Sequence, residues 1–126
     1  MANQRQAINS YDIDGVITVG ITPRPEDIII TGRSYQEAKP TYKQLRELGI
    51  DNPVYFQPMN WENTSRESSG RWKGQLLKQL QDNGVLISKH FEDDEIQKAE
   101  IEKLVNTPVV LLEHNLTNKE KQDMLN

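Results

Sequence analysis

The hydrophobic positions of this chain fall into five short, nearly continuous segments that longer polar stretches separate. Apolar runs without polar alternation are typical of strands that are covered on both faces, as in a parallel sheet. We therefore predict five buried strands, at residues 7–13, 27–31, 53–57, 85–91 and 108–113.

Three segments with helical periodicity lie between these strands, at residues 34–49, 69–83 and 94–105. Ser34 and Glu37 have the spacing of a capping box at the start of the first helix, while Pro40 favours a start at that residue instead. In the third helix, the residues expected to face the core are Ile96, Ala99 and Leu104. Strands that alternate with helices predict an α/β fold of three layers, a Rossmann-like sheet of five mainly parallel strands with helices on both faces.

Composition and charge exclude several classes of partner and chemistry for this chain. The net charge of −4, from 15 basic and 19 acidic residues, argues against a protein held mainly by nucleic acid phosphates or anionic lipid. The chain has no cysteine, which excludes disulfides and thiolate chemistry. Because it also lacks a long apolar run and an apolar amino terminus, we expect a cytoplasmic protein without a membrane partner.

The organisation indicated is a single domain over residues 1–126. Residues 15–26 form a short connection, residues 58–68 are polar and predict a surface loop, and residues 114–126 form a polar tail. None of these segments is large enough for a second domain.

Chemically useful side chains concentrate where predicted strands end. The first predicted strand ends in residues 11–15, the second in residues 31–33 and the fourth in residues 92–94, while Lys73 lies near the start of the second helix. In an open parallel sheet, ligands bind beyond the carboxyl ends of the strands. Carboxylates gathered there repel one another unless they share a cation, and a hard ion such as Mg²⁺ accepts carboxylate and phosphate oxygens. The pattern therefore favours phosphate chemistry at this edge of the sheet.

Taken in order, these pieces resemble the four motifs of the haloacid dehalogenase superfamily of phosphatases. The matching segments are Asp12-Ile13-Asp14-Gly15-Val16, Thr31-Gly32-Arg33, Lys73 and Glu92-Asp93-Asp94, and the resemblance covers residues 7–113. It implies the strand order 5-4-1-2-3. It also implies that Asp12 is a nucleophile that forms an aspartyl-phosphate and that Asp14 is the general acid and base. Thr31, Gly32 and Lys73 would bind the transferring phosphoryl group.

The resemblance further implies a magnesium site. Asp12 and Asp93 would bind Mg²⁺ through their carboxylates and Asp14 through its backbone carbonyl, with Asp94 assisting through water. Glu92 stands where the family commonly has a small residue, so both Asp93 and Asp94 remain candidates for the direct ligand.

Two features qualify the comparison with the family. Only 16 residues separate Asp14 from Thr31, which leaves no room for a cap domain and resembles the capless members of the family. Lys89, within the fourth strand, competes with Lys73 for the role of the phosphate lysine.

Three further polar residues are interpreted independently of the resemblance. Arg33 has two predicted partners, a substrate anion or Glu37, and we interpret His90 and His114 as structural.

The expected function is therefore that of a capless, Mg²⁺-dependent phosphohydrolase acting on a phosphomonoester. The substrate would be a nucleotide, a nucleic-acid end or a sugar phosphate, and the residues favour none of the three. Two alternatives stand beside it: a catalytically silent or slow member that serves as a binding module, and a phosphotransferase whose acceptor is not water.

Overall fold

Strands and helices alternate along the chain, and the computed structural model describes residues 6–58 and 65–112. Within these residues the strands are β1 (Ile8–Tyr11), β2 (Ile28–Ser34), β3 (Val54–Gln57), β4 (Ile87–Glu92) and β5 (Val109–Leu111). The helices are α1 (Ala38–Glu47), α2 (Arg66–Asp82) and α3 (Glu95–Glu102), and short 3-10 turns occur at Ile17–Val19 and Tyr35–Glu37. No helix in the described ranges has the length and apolar character that a membrane crossing requires. The predicted polar tail lies outside the described residues.

The five strands form one parallel sheet in the spatial order β3-β2-β1-β4-β5. This is the predicted order 5-4-1-2-3 read from the opposite edge, so the predicted α/β fold is confirmed. The chain runs outward from β1 through β2 to β3, then crosses to β4 and β5. Strand order therefore reverses between β1 and β4, which is the position where sheets of this kind bind ligands.

Side chains of the sheet alternate between two hydrophobic layers. In β2, Ile29 packs in the layer that contains Leu45 of α1, whereas Ile28 and Ile30 pack in the layer that contains Leu77 of α2. The α1 layer also includes three buried residues of the connection after β1, which are Val16, Ile17 and Ile21. Helices therefore cover both faces, α1 on one and α2 with α3 on the other.

Glycines allow α2 to lie very close to α3. A Cβ at Gly70 would be 2.8 Å from Gln97 Cα, and a Cβ at Gly74 would be 2.9 Å from Leu104 Cδ1. A larger residue at Gly70 would therefore force the two backbones apart. This close packing fixes the turn of α2 that carries Lys73 over the sheet.

The start of α2 differs from the prediction. The helix begins at Arg66, three residues earlier than expected, because two serines cap it. Ser65 Oγ accepts from the backbone N–H of Ser68 at 3.0 Å, and Ser68 Oγ accepts from the backbone N–H of Ser65 at 2.9 Å. The predicted surface loop is thus shorter at its carboxyl end, and residues 59–64 lie outside the described part of the chain.

The end of α3 was also predicted incorrectly. The helix ends at Glu102 rather than at residue 105. Ala99 is exposed instead of facing the core, and Leu104, 38% exposed, packs against Gly74 of α2. Ile101 is the fully buried residue of this helix. Gln97 and Ile101 lie on the side of α3 that contacts Gly70 and Gly74 of α2.

A buried carboxylate ties the start of β2 to β1. The side chain of Asp27 accepts hydrogen bonds from the backbone N–H of Asn9 at 2.9 Å and from the Tyr11 hydroxyl at 2.7 Å. Arg24 donates to it from Nε at 3.1 Å and from Nη2 at 3.0 Å. Burial alone would raise the pKa of Asp27, but these donors, with Arg24 foremost, hold it below its usual value. The folded chain therefore stabilises the ionised carboxylate.

We predict that Asp27→Asn lowers the free energy of unfolding by about 2–3 kcal/mol at neutral pH, because hydrogen bonds to a charged acceptor contribute about 1.5–3 kcal/mol. The pKa of Asp27 is depressed by folding, so its contribution is present above the unfolded-state pKa of about 3.9 and is lost as the pH falls through the folded-state value. Urea unfolding of both proteins at neutral pH and at about pH 3 should show the difference shrinking in acid.

Asp51→Asn is the matched control, because Asp51 is exposed. It should change the free energy of unfolding by less than about 0.5 kcal/mol at either pH. A deficit of equal size for Asp27→Asn at both pH values would contradict the role assigned to the carboxylate charge.

Candidate active site

An open cavity of about 370 Å³ lies at the carboxyl edge of the sheet, beside the amino-terminal turns of α2 and α3. Residues from all four predicted motifs line it, and these are Asp12, Asp14, Gly32, Lys73, Asp93 and Asp94. Arg33, Glu37, Ser69 and Gln97 complete the lining. The fold thus brings together residues that are far apart along the chain.

Asp12 directly follows β1 and is held by the backbone around it. Its N–H donates to the Phe91 carbonyl of β4 at 3.0 Å, and its Oδ1 accepts from the N–H of Ile13 at 2.8 Å. The residue is only 6% exposed although it lines the cavity. Burial, followed by the neighbouring charge of Glu92, raises the pKa of Asp12 well above its usual value. A cation beside this carboxylate would favour its ionised form.

Lys73 is fully buried between two carboxylates. Its Nζ lies 2.8 Å from Glu92 Oε1 and 3.4 Å from Asp12 Oδ1. Burial by itself lowers the pKa of Lys73, but the charges of Asp12 and Glu92 raise it above the usual value, so the ammonium stays protonated. Lys89, the predicted alternative, lies within β4 beside Asn9 of β1. Lys73 is therefore the lysine that the fold brings to Asp12.

Three carboxylates of the described residues converge at one point. Asp12, Glu92 and Asp93 each offer an oxygen, and these atoms all lie within 4.8 Å of one another. Burial alone would raise the pKa of Glu92, but the charge of Lys73 and the hydrogen bond from His90 lower it. One ammonium against three carboxylates leaves an excess of negative charge, which a further cation could offset.

Gly15 allows Asp93 to reach this cluster. The backbone of Gly15 has a φ of 78°, which other residues rarely adopt, and a Cβ at this position would overlap the carboxylate of Asp93. The Asp-Gly pair of the first motif is therefore explained by the packing of Asp93 against the turn that follows β1.

Asp14 lies at the rim of the cavity, with 64% of its side chain exposed. Arg33 binds it with two hydrogen bonds, Nη2 to Oδ1 at 2.7 Å and Nε to Oδ2 at 3.0 Å. The same guanidinium donates from Nη1 to Thr41 Oγ1 at 3.0 Å and to Gln44 Oε1 at 2.9 Å of α1. The partner of Arg33 is thus Asp14, while Glu37 accepts from a backbone N–H at 3.0 Å.

Asp94 caps α3 instead of joining the carboxylate cluster. Its Oδ1 accepts from the backbone N–H of Ile96 at 2.8 Å, and Arg66 donates to its two oxygens at 2.7 and 3.0 Å. Burial alone would raise the pKa of Asp94, but Arg66 and the backbone donors of the helix lower it. Of the two predicted candidates, Asp93 is the one whose oxygen lies beside Asp12.

The second motif lies inside β2, which continues to Ser34 instead of ending at residue 31 as predicted, and the strand is irregular between Thr31 and Ser34. It contributes a buried hydroxyl and an open backbone position. Thr31 is fully buried, and its Oγ1 accepts from the backbone N–H of Arg33 at 3.1 Å. A Cβ at Gly32 would be 3.6 Å from Ser69 Oγ and from Gln57 Oε1, which are themselves hydrogen-bonded at 2.9 Å. Gly32 and Ser69 therefore line one side of the cavity, and no pattern in the sequence marked Ser69 for that position.

The sequence motifs did not indicate the buried residues around Lys73. Glu92, interpreted as a departure from the family pattern, accepts from Lys73 Nζ at 2.8 Å. His90, interpreted as structural, is fully buried and lies 3.1 Å from Glu92 Oε1. A signal was available, because polar residues two positions apart in a buried strand share one face. Ser10 with Asp12 in the first strand, and His90 with Glu92 in the fourth, have this spacing.

We predict that Gly15→Ala lowers the free energy of unfolding more than Gly49→Ala does. Both glycines have a positive φ, 78° and 75°, so both variants lose about 1–2 kcal/mol from the left-handed backbone. A Cβ at Gly49 meets no atom within 4 Å, whereas at Gly15 it overlaps Asp93, which adds about 1–3 kcal/mol. Chemical unfolding measures both, and equal losses would mean that Asp93 moves aside without cost.

Similarity to known proteins assigns no family to this chain. Comparisons with protein-family models, with curated proteins and with solved structures found no match. Any functional conclusion therefore depends on the residues of the site and their geometry.

Proposed function

We propose that this chain is a Mg²⁺-dependent phosphohydrolase of the haloacid dehalogenase type without a cap, acting on a phosphomonoester through an aspartyl-phosphate on Asp12. One observation carries the proposal, which is the position of Asp12. Its buried carboxylate lines an open cavity, 3.4 Å from the Lys73 ammonium and beside an oxygen of Asp93. A carboxylate next to a fixed positive charge is suited to receive a phosphoryl group.

The donor set at this position fits a hard divalent cation. Asp12 and Asp93 would hold Mg²⁺ through their carboxylates, with the backbone carbonyl of Asp14, and Asp94 would assist through water. The excess of carboxylates over ammonium groups supports this assignment, because oxygen ligands of net negative charge are those that Mg²⁺ prefers. When bound, the ion would offset carboxylate charge and polarise the phosphoryl oxygens.

The residues of the site would share the chemistry in two steps. Asp12 attacks phosphorus, the ester P–O bond breaks, and Asp14 gives a proton to the leaving oxygen. Asp14 then takes a proton from a water molecule whose oxygen attacks phosphorus, and the bond between phosphorus and the Asp12 oxygen breaks. Lys73 would offset the charge that develops on the phosphoryl oxygens. Thr31, which the resemblance assigned to the same role, is fully buried and is not among the residues that line the cavity.

The shape of the described chain supports a capless site. The segment between β1 and β2 packs Val16, Ile17 and Ile21 into the core rather than over the cavity. A cavity left open in this way would admit the phosphate end of a large or a small substrate. The proposal therefore includes nucleotides, nucleic-acid ends and sugar phosphates.

The ion pair of Asp14 with Arg33 favours a second candidate, a catalytically silent binding module. A carboxylate that accepts two guanidinium hydrogen bonds must exchange them before it can carry and donate a proton. In a silent member, the cavity would bind a cation and a phosphate group without turnover. A phosphotransferase would use the same first step with an alcohol as the acceptor in the second.

We predict that Asp12→Asn lowers kcat/KM for an aryl phosphate at least about 10³-fold in the presence of Mg²⁺, because the variant lacks the nucleophile. Acid-quenched wild-type enzyme should carry a phosphoryl group on the peptide that contains Asp12, detected by mass spectrometry. Chelation of the metal with EDTA should abolish turnover.

Asp51→Asn, an exposed carboxylate outside the cavity, is the control and should keep the wild-type rate. Unchanged turnover in Asp12→Asn would refute the nucleophile. No hydrolysis across a broad panel of phosphomonoesters would favour the binding module, and product that forms only with added alcohol would favour the transferase.

We predict that Asp14→Asn reduces steady-state kcat about 10²–10⁴-fold, the usual effect of losing a general acid and base. Nitrophenolate leaves without a proton, so the first step should persist and release a burst of one nitrophenolate per enzyme. Rapid-mixing absorbance measures the burst and the steady state. A steady-state rate equal to that of the wild type would contradict the role of Asp14.

A further inference from the structure

A row of buried polar side chains extends from the interior of the sheet to the cavity. Ser10 of β1 and His90 of β4 are register partners, and both are fully buried. Ser10 Oγ lies 2.7 Å from His90 Nδ1, and His90 Nε2 lies 3.1 Å from Glu92 Oε1. Glu92 Oε1 lies 2.8 Å from Lys73 Nζ, which in turn lies 3.4 Å from Asp12 Oδ1. The row therefore connects Ser10 to the proposed nucleophile without a break.

Chemistry fixes the direction of these hydrogen bonds. An ionised carboxylate only accepts, so the contact with Glu92 requires the proton of the His90 ring to be on Nε2. The other ring nitrogen, Nδ1, then accepts the hydroxyl proton of Ser10. Burial lowers the pKa of His90 although Glu92 opposes this, which agrees with a neutral ring that donates once and accepts once.

The row reaches Lys73 of α2 on the face of the sheet that carries the second hydrophobic layer. The layer between the sheet and α2 contains Ile28, Ile30, Leu77, Ile101 and Val109. A hydroxyl and an imidazole buried in such a layer cost free energy that an apolar pair of similar volume would not. Packing alone therefore does not account for Ser10 and His90.

His90 restrains Glu92, whose carboxylate could bind either a cation or the ammonium of Lys73. An oxygen of Glu92 lies within 4.8 Å of oxygens of Asp12 and Asp93, so Glu92 could also serve as a third carboxylate for a bound cation. His90 and Lys73 bind the same oxygen, Oε1, while Oε2 accepts from the backbone N–H of Asp93 at 3.3 Å. Held in this way, Glu92 keeps the ammonium of Lys73 directed at Asp12.

We propose that Ser10 and His90 are positioning residues, which fix Glu92 and through it hold Lys73 in place to neutralise the phosphoryl group that Asp12 receives. This inference rests on the proposed function. Neither residue touches the substrate, since neither lines the cavity. Their loss should therefore affect the rate of the chemical step rather than the binding of substrate.

Two substitutions of His90, to leucine and to glutamine, distinguish a role in positioning Glu92 from a role in packing alone. The amide nitrogen of glutamine reaches about as far as His90 Nε2 and can donate to Glu92, whereas leucine cannot. We expect His90→Leu to lower kcat about 10–100-fold, with KM changed less than about threefold. His90→Gln should recover at least about tenfold of that loss.

Ile101→Val is the matched control, because it perturbs the same layer without touching the row. With kcat expressed per folded molecule, it should keep the wild-type rate. A wild-type kcat in His90→Leu, or a His90→Gln variant as slow as His90→Leu, would overturn the proposal.

Two nuclear magnetic resonance measurements need no turnover. In wild-type protein, the nitrogen spectrum of His90, assigned by its loss in His90→Gln, should show the proton on Nε2. The ammonium signal of Lys73 should shift in His90→Leu and stay in place in Ile101→Val. A proton on Nδ1, or an unmoved Lys73 signal, would overturn the proposal.

The kinetic and spectroscopic measurements together distinguish a failure of the proposed function from a failure of the positioning role. If the wild-type chain hydrolyses no phosphomonoester, the proposed function fails, and the two spectra still decide whether Ser10 and His90 hold Lys73. Should His90→Leu not fold, Ser10→Ala removes a single hydroxyl and takes its place in both measurements. An unmoved Lys73 signal in Ser10→Ala would then overturn the role of Ser10.

Discussion

Lys73 carries a full positive charge in the interior of the protein, and the site is organised by the need to neutralise it. Removing an ammonium from water costs several kcal/mol, which nearby carboxylates offset only at hydrogen-bonding distance. Glu92 and Asp12 provide this compensation at 2.8 and 3.4 Å. Because Asp93 adds a third carboxylate to the same place, the cluster has more negative charge than Lys73 can balance. The chemistry proposed for the cavity follows from that imbalance.

The fold supplies this arrangement through two features of its packing. Strand order reverses between β1 and β4, so Asp12 and Glu92 arrive side by side at the ends of neighbouring strands. Gly70 and Gly74 let α2 approach α3 closely, which holds Lys73 between those two glycines over the sheet. Neither feature involves a catalytic group, yet together they set the distances on which the site depends.

The interior and the rim of the site differ in solvent exposure and therefore in the strength of their charge interactions. In the interior, Asp12, Lys73 and Glu92 are almost without solvent exposure, so their interactions are strong and their geometry is fixed. At the rim, Arg33 pairs with Asp14, whose side chain is largely exposed, and such pairs contribute little to stability and exchange readily. A fixed interior with an exchangeable rim is suited to a site that binds a cation and a phosphate group and then releases product.

The sequence by itself determined the five strands, the three helices, their alternation and the strand ends that Asp12 and Asp93 follow, because these features follow from local periodicity and from turn residues. Thr31 was predicted to end the second strand but lies inside β2, which continues to Ser34. Only the tertiary structure decided that Leu104 packs against Gly74 of α2 instead of facing the core. It alone decided the partners of the charged groups, such as Glu92 for Lys73. The partners of a charged group depend on which side chains meet across the sheet and between closely packed helices. Those meetings occur only when segments that are distant in the sequence pack together.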